Sequence, residues 1–106
     1  MITLNKYLAN NKDEVTEWMS KRVELNSGLT LSIQASEYHY CEPRKNLDDK
    51  SMYTAFEIGF PSEEIELIAS FAQDRGDLTG TVYPYIPRNI VETIISDNGG
   101  IKGVAK

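Results

Sequence analysis

The sequence predicts an α+β fold in which a three- or four-stranded, mainly antiparallel sheet packs with about three helices. Three observations predict it. Residues 29–36 and 53–60 alternate apolar and polar side chains, the period of strands with one buried and one wet face. Residues 62–74 and 87–98 carry apolar side chains three and four apart behind a proline, the period of amphipathic helices. A chain of 106 residues and 12.0 kDa suits one domain, read here as residues 1–106.

Along the chain, residues 1–25 read as an N-terminal helical segment. Leu4, Tyr7 and Leu8 make a short helical turn that the Asn10–Asn11 pair interrupts. A second helix follows near 12–24, with Asp13 and Glu14 at its positive end and Trp18 and Met19 facing inward. Asn26-Ser27-Gly28 is a turn, after which Leu29, Leu31, Ile33 and Ala35 form the apolar face of a strand. Arg22–Leu25 could instead finish as a strand pairing with it, which would make Asn26–Gly28 a hairpin loop. Residues 37–52 form a long loop, and alternation resumes with Thr54, Phe56, Ile58 and Phe60.

Two stretches then echo each other. Pro61 leads into Glu63–Ser70 and, twenty-six residues on, Pro87 leads into Asn89–Ser96. Glu66 aligns with Glu92 and Ser70 with Ser96, and Gly76 and Gly99 are natural helix stops. One echo is too little for a repeat protein and reads as two similar local solutions. Between them, Thr81–Ile86 is a strand whose Pro84 lacks a donor, so it belongs at a sheet edge or carries a bulge. Residues 101–106 are expected to be a frayed tail.

Composition narrows the function. Sixteen acidic against eleven basic side chains give a net charge of -5, which disfavours general phosphate-backbone binding. No apolar run approaches the roughly 20 residues of a membrane span, and MITLNKYL reads as too short and polar for a signal peptide. The single cysteine, Cys41, precludes an intramolecular disulfide, and the expected compartment is a reducing cytoplasm. There is no phosphate-binding glycine loop, no nucleophile elbow and no zinc-protease motif. No cofactor and no metal are expected, because one His and one Cys fall short of a zinc site.

Two constellations remain. His39 and Cys41 stand two apart, so on a strand they share a face, and one reading makes them a nucleophile and its base in a small enzyme or redox protein. No third orienting group is evident, and a structural or binding role for the segment is the expectation. The scattered carboxylates read as solubilising helix faces, with a nucleic-acid mimic as the sharper alternative. Tyrosine outnumbers phenylalanine six to three, a tilt toward rings with a polar handle that recur at contact surfaces. The expected partner-binding residues are Tyr38, His39, Tyr40 and Arg44, together with the loop to Lys50, and Tyr83 and Tyr85 as secondary contacts. Each tyrosine pair is spaced to share one strand face, and lining the sheet core is the competing reading. Nucleic-acid binding through Arg44, Lys45 and Lys50 with stacking tyrosines is a further alternative, which at this net charge requires strong segregation of charge.

The words Ser32–Ser36, His39–Arg44, Tyr53–Ser62, Thr81–Tyr83 and Asn98–Ile101 resemble a group of small uncharacterised proteins encoded by phages and prophages of Gram-positive bacteria. The resemblance covers roughly residues 22 to 101 and brings no catalytic residues with it. It implies an accessory protein of a mobile element, acting in the cytoplasm of a bacterial host. Proteins of that setting commonly bind a host or phage macromolecule stoichiometrically, and anti-CRISPR inhibitors of RNA-guided nucleases are one such class. The expected function is therefore a non-catalytic protein-binding factor and inhibitor of a host defence nuclease. The expected partner is a protein, with neither membrane nor nucleic acid, and self-association is left open.

Overall fold

The computed structural model describes all 106 residues as an open five-stranded antiparallel sheet with its core on one face. The strands are β1 (Val23–Leu25), β2 (Thr30–Gln34), β3 (Ala55–Gly59), β4 (Val82–Pro87) and β5 (Ile101–Val104). They lie in the order β4-β3-β2-β1-β5. Two α-helices, α1 (Leu4–Asn10) and α2 (Arg88–Asp97), and two 3-10 turns, Lys50–Met52 and Glu66–Phe71, complete the fold. The α+β class stands, with five strands in place of three or four. No helix is long and apolar enough to cross a membrane.

The period-two reading holds at the centre of the sheet and fails at both ends of its second stretch, where Thr54 is exposed and Phe60, at φ 48, turns out to solvent. Leu31, Ile33, Phe56 and Ile58 are buried, while their neighbours Thr30, Ser32 and Glu57 are partly exposed. β1 pairs with β2 through Val23↔Leu31 and Glu24↔Thr30, so the alternative reading of 22–25 is the one that forms, as strand Val23–Leu25 of the Asn26–Gly28 hairpin. Val91, Ile94 and Ile95 of α2 join this core, together with Leu4, Tyr7 and Leu8 of α1. Full burial of one such aliphatic side chain stabilises by about 1.5–3 kcal/mol, so the alternation is the main force that orients the sheet.

Three expectations fail. The helix near 12–24 does not form: residues 11–21 make a narrow hairpin closed by Lys21 N–H to the Asn11 carbonyl and Asp13 N–H to the Met19 carbonyl, both 2.8 Å. Asp13 Oδ1 accepts the Val15 and Thr16 amides at 2.8 and 3.0 Å, so the carboxylate expected at the helix's positive end makes a tight turn instead. Buried Gln34 then ties Ser20 to the sheet by both its amide atoms, accepting from Ser20 N and donating to Ser20 O at 2.8 Å each. Trp18 is left partly exposed and Met19 only partly covered, neither of them in the core.

The helix near 62–74 shortens to the 3-10 turn. Ser62, at its start, donates its amide to the Thr30 carbonyl and accepts the Thr30 amide on its hydroxyl, so it is tied to the sheet and does not cap a helix. The tail is the third failure. Residues 101–104 are β5, paired with β1 through Val23↔Val104 and Leu25↔Ile101, with Ile101 buried. Asn26 Nδ2 bonds the Gly99 carbonyl at 2.8 Å, and Gly99 and Gly100 take the positive φ that turns the chain from α2 into β5.

Pro84 sits where expected, on the edge strand and in a bulge. Phe56 faces Ile86 and Ile58 faces Tyr83, so Pro84 and Tyr85 together oppose the single residue Glu57. Tyr83 and Ile86 therefore both point into the core, and Tyr85, at φ 54, is thrown outward.

Candidate functional site

The loop from β2 to β3 folds back beside the β4 edge, and its first turn is built around Ser36. The buried Ser36 hydroxyl accepts the Tyr38 amide at 3.0 Å and lies 2.6 Å from His39 Nδ1. The Ser36 carbonyl accepts the His39 amide at 3.3 Å and the Cys41 thiol at 3.2 Å. Satisfied in this way, the turn buries His39 and Cys41 and leaves Tyr38 and Tyr40 outside. Nothing in the periodicity marked Ser36 for this role, although a serine two residues before a tight turn is the usual chemistry for it.

Segment 38–41 is fastened to the sheet at two points. The Tyr40 amide donates to Glu57 Oε1 at 3.2 Å, and the Tyr40 carbonyl accepts the Tyr85 amide at 3.0 Å. The bulge turns that Tyr85 N–H away from β3 and toward the loop, which gives the edge strand a partner. The rings follow their backbones: Tyr40 and Tyr85 lie 5.9 Å apart between centroids, tilted by 45°. On the other flank Trp18 lies 4.6 Å from Tyr38 and 5.7 Å from His39. Trp18, Tyr38, Tyr40 and Tyr85 are 39%, 57%, 36% and 45% exposed, so two packed aromatic pairs face solvent from three separate segments.

Arg44 is exposed beside them. Its Nε donates to the Glu37 carbonyl at 3.1 Å and its guanidinium lies 5.1 Å from the Tyr40 ring centre. Lys50 turns inward, giving its ammonium to the Leu47 carbonyl at 2.8 Å, and burial lowers its pKa. Arg44, Lys45 and Lys50 thus present no continuous basic strip. Between the 11–21 hairpin and the 46–50 loop runs an open cleft of about 230 Å³, with Trp18 as one wall and Lys12, Glu17, Asp48 and Lys50 around it.

Of the expected contact residues, the structure brings Tyr38, Tyr40, Arg44 and Tyr85 to one region of surface. It does not bring His39 or Tyr83 there. Both are buried: His39 under Trp18, and Tyr83 in the core with its hydroxyl donating to the Leu78 carbonyl. Trp18 and Glu57 belong to the region and carried no signal in the sequence, because one was assigned to a helix core and the other to a plain strand face.

Cys41 and His39 do not form an activated pair. Each is bonded to Ser36, and desolvation raises the Cys41 thiol pKa, the opposite of a poised thiolate. Desolvation also holds His39 below its ordinary value, as a neutral ring. No group of three or more His, Cys, Asp or Glu side chains is arranged to hold a metal ion. No protein-family model matches the chain, and no curated protein or solved structure is significantly similar to it.

Proposed function

We propose that this chain is a non-catalytic protein-binding factor that engages its partner through Trp18, Tyr38, Tyr40, Tyr85 and Arg44. The observation that carries the reading is the pair of exposed aromatic contacts held on a rigid frame. Free aromatic area is unfavourable in water unless something covers it, and these rings lose little side-chain freedom on being covered. Tyrosine, tryptophan and arginine are also the residues that dominate binding energy at protein interfaces. The resemblance to phage and prophage proteins supplies the setting, the cytoplasm of a bacterial host. There we propose the specific form of a stoichiometric inhibitor of a host defence nuclease, RNA-guided nucleases included.

The test is capture from lysate of a Gram-positive host with the parent protein, Trp18→Ala and Tyr40→Ala, after both variants are shown to melt cooperatively. A protein retained in equal stoichiometry by the parent and lost by both variants supports the surface. Repeated failure to retain any protein, or equal retention by all three, overturns it. If the retained protein is a nuclease, cleavage should stop at one equivalent of the parent. Undiminished cleavage removes the inhibitor form and leaves the binding factor.

A further inference from the structure

Glu57 lies on β3 between the buried Phe56 and Ile58, so its carboxylate is on the outer face of the sheet. It accepts one hydrogen bond from the protein, that of the Tyr40 amide to Oε1. It belongs to neither ion pair of the molecule, which join Lys21 to Glu14 and Lys102 to Glu24. A partly buried carboxylate with an oxygen left over is open to a cation. Two aromatic residues neighbour it in the fold: Tyr40, whose amide it holds, and Tyr85, which the bulge sets opposite it on β4.

The bulge has an energetic cost. A tyrosine at φ 54 occupies the left-handed region, where the Cβ crowds the backbone and the conformation is disfavoured. Such strain persists where surrounding structure enforces it, and it is concentrated at ligand clamps. What the strain achieves here is specific. It turns the Tyr85 ring outward, onto the same face as Glu57 and against Tyr40.

We infer that Glu57, Tyr40 and Tyr85 form a receptor for an arginine side chain of the partner protein, a deepening that rests on the protein-binding reading above. A guanidinium is planar, stacks on tyrosine faces and donates in a fork to a carboxylate, so one group satisfies both halves of the site. An ammonium is compact and strongly hydrated and uses the rings less well. Arg44 already covers part of Tyr40, its guanidinium 5.1 Å from the ring centre, so the partner's guanidinium would meet the Tyr85 ring and the area of Tyr40 that is left. Arg44 is held by the Glu37 carbonyl, not by Glu57, which leaves the carboxylate for the partner. The net charge of -5 favours the approach of such a basic surface.

The test titrates the full chain with acetyl-Gly-Arg-Gly-amide, following backbone amides by NMR, beside the same peptide carrying lysine or the neutral isostere citrulline. The arginine peptide should shift Tyr40, Glu57 and Tyr85 together, with citrulline silent and lysine about threefold weaker or more. Glu57→Gln, which keeps the amide contact and should melt as the parent does, should weaken the arginine peptide about fivefold or more. Equal binding of citrulline or lysine, shifts centred on Glu37 or Glu42, or an unaffected Glu57→Gln overturns the receptor. Partner capture separates the two levels. If Glu57→Gln keeps a partner that Tyr85→Ala loses, the surface stands and the receptor is wrong. If Tyr85→Ala and Trp18→Ala both keep it, the protein-binding reading falls as well.

Discussion

Tyr83 and Tyr85 are two apart on a strand and end on opposite sides of the sheet, whereas Tyr38 and Tyr40 are two apart in a loop and both face out. Ordinary strand geometry would keep the first pair together. It fails there because β4 fits two residues, Pro84 and Tyr85, against Glu57 alone. The loop keeps its out-in-out order for a separate reason: Ser36 gathers His39 and Cys41 beneath it, and the tyrosines have nowhere else to go. One tyrosine of the four became core, and the other three joined Trp18 on the surface. Side-chain direction in both regions is thus set by a local polar or register feature, not by spacing.

The contrast can be broken most severely at Tyr83. Tyr83→Ala should cost about 3–5 kcal/mol in chemical denaturation, the usual loss for a large buried ring. Tyr83→Phe, which removes only the bond to the Leu78 carbonyl, should cost nearer ~1 kcal/mol. A Tyr83→Ala variant as stable as the parent would place that ring outside the core.

On the other side of the comparison, Tyr38→Ala should leave unfolding within about 0.5 kcal/mol of the parent, and Trp18→Ala, which also uncovers His39, should cost about 1 kcal/mol. Calorimetry with the captured partner should show each weakening binding by about 2 kcal/mol. Loss of cooperative melting in both would make this pair a structural prop. A smaller effect is expected at the bulge itself. Tyr85→Gly relieves the positive φ, so it should gain up to about 1 kcal/mol of stability while losing the partner. A marked loss of stability would show that the Tyr40–Tyr85 contact holds the loop.

The smallest effect concerns acid. His39 is held below its ordinary pKa of 6.5 because burial disfavours its charged form. The unfolded chain then binds the proton first, so this part of the stability is complete above pH 6.5 and declines as pH falls toward the lowered value. Melting between pH 7.5 and 5 should therefore fall more in the parent than in His39→Gln. The lowered carboxyls of Asp13 and Asp49, held down by hydrogen bonds, titrate below their ordinary 3.8 and leave that window clear. Parallel curves for parent and variant would place His39 in a wetter site.

Where the sequence misled, it did so through local signals that a distant partner outbid. Pro61–Ser70 and Pro87–Ser96 share their proline, glutamate and serine, yet the first gives a 3-10 turn and the second a ten-residue helix. Ser62 is taken by Thr30, and the Gln73 amide returns to the Val82 carbonyl, so that segment is tethered at both ends to the sheet. In α2, Asn98 and Gly99 close the helix on its own last carbonyls. Arg88 had no sequence signal at all. It joins Asn5 of α1, Lys50 and Tyr53 by three bonds of 2.7–2.9 Å, a convergence that exists only after folding.

What the residues determined unaided was whatever depends on short-range periodicity and on backbone chemistry. That includes the central buried residues of β2 and β3, the turn at Asn26–Gly28, α2 with its glycine stop, and the confinement of Pro84 to an edge or a bulge. Exposed tyrosine at 38 and 40 was one of two readings, with the sheet core as its rival, and folding placed both rings outside. Tertiary structure decided the rest: β5 beside β1, the 11–21 hairpin in place of a helix, and the meeting of Trp18, Glu57 and Tyr85 with the loop. The reason is physical. A strand edge, a bulge or a buried hydroxyl takes its conformation from whichever backbone group arrives to bond it, and for these residues that group lies tens of positions away.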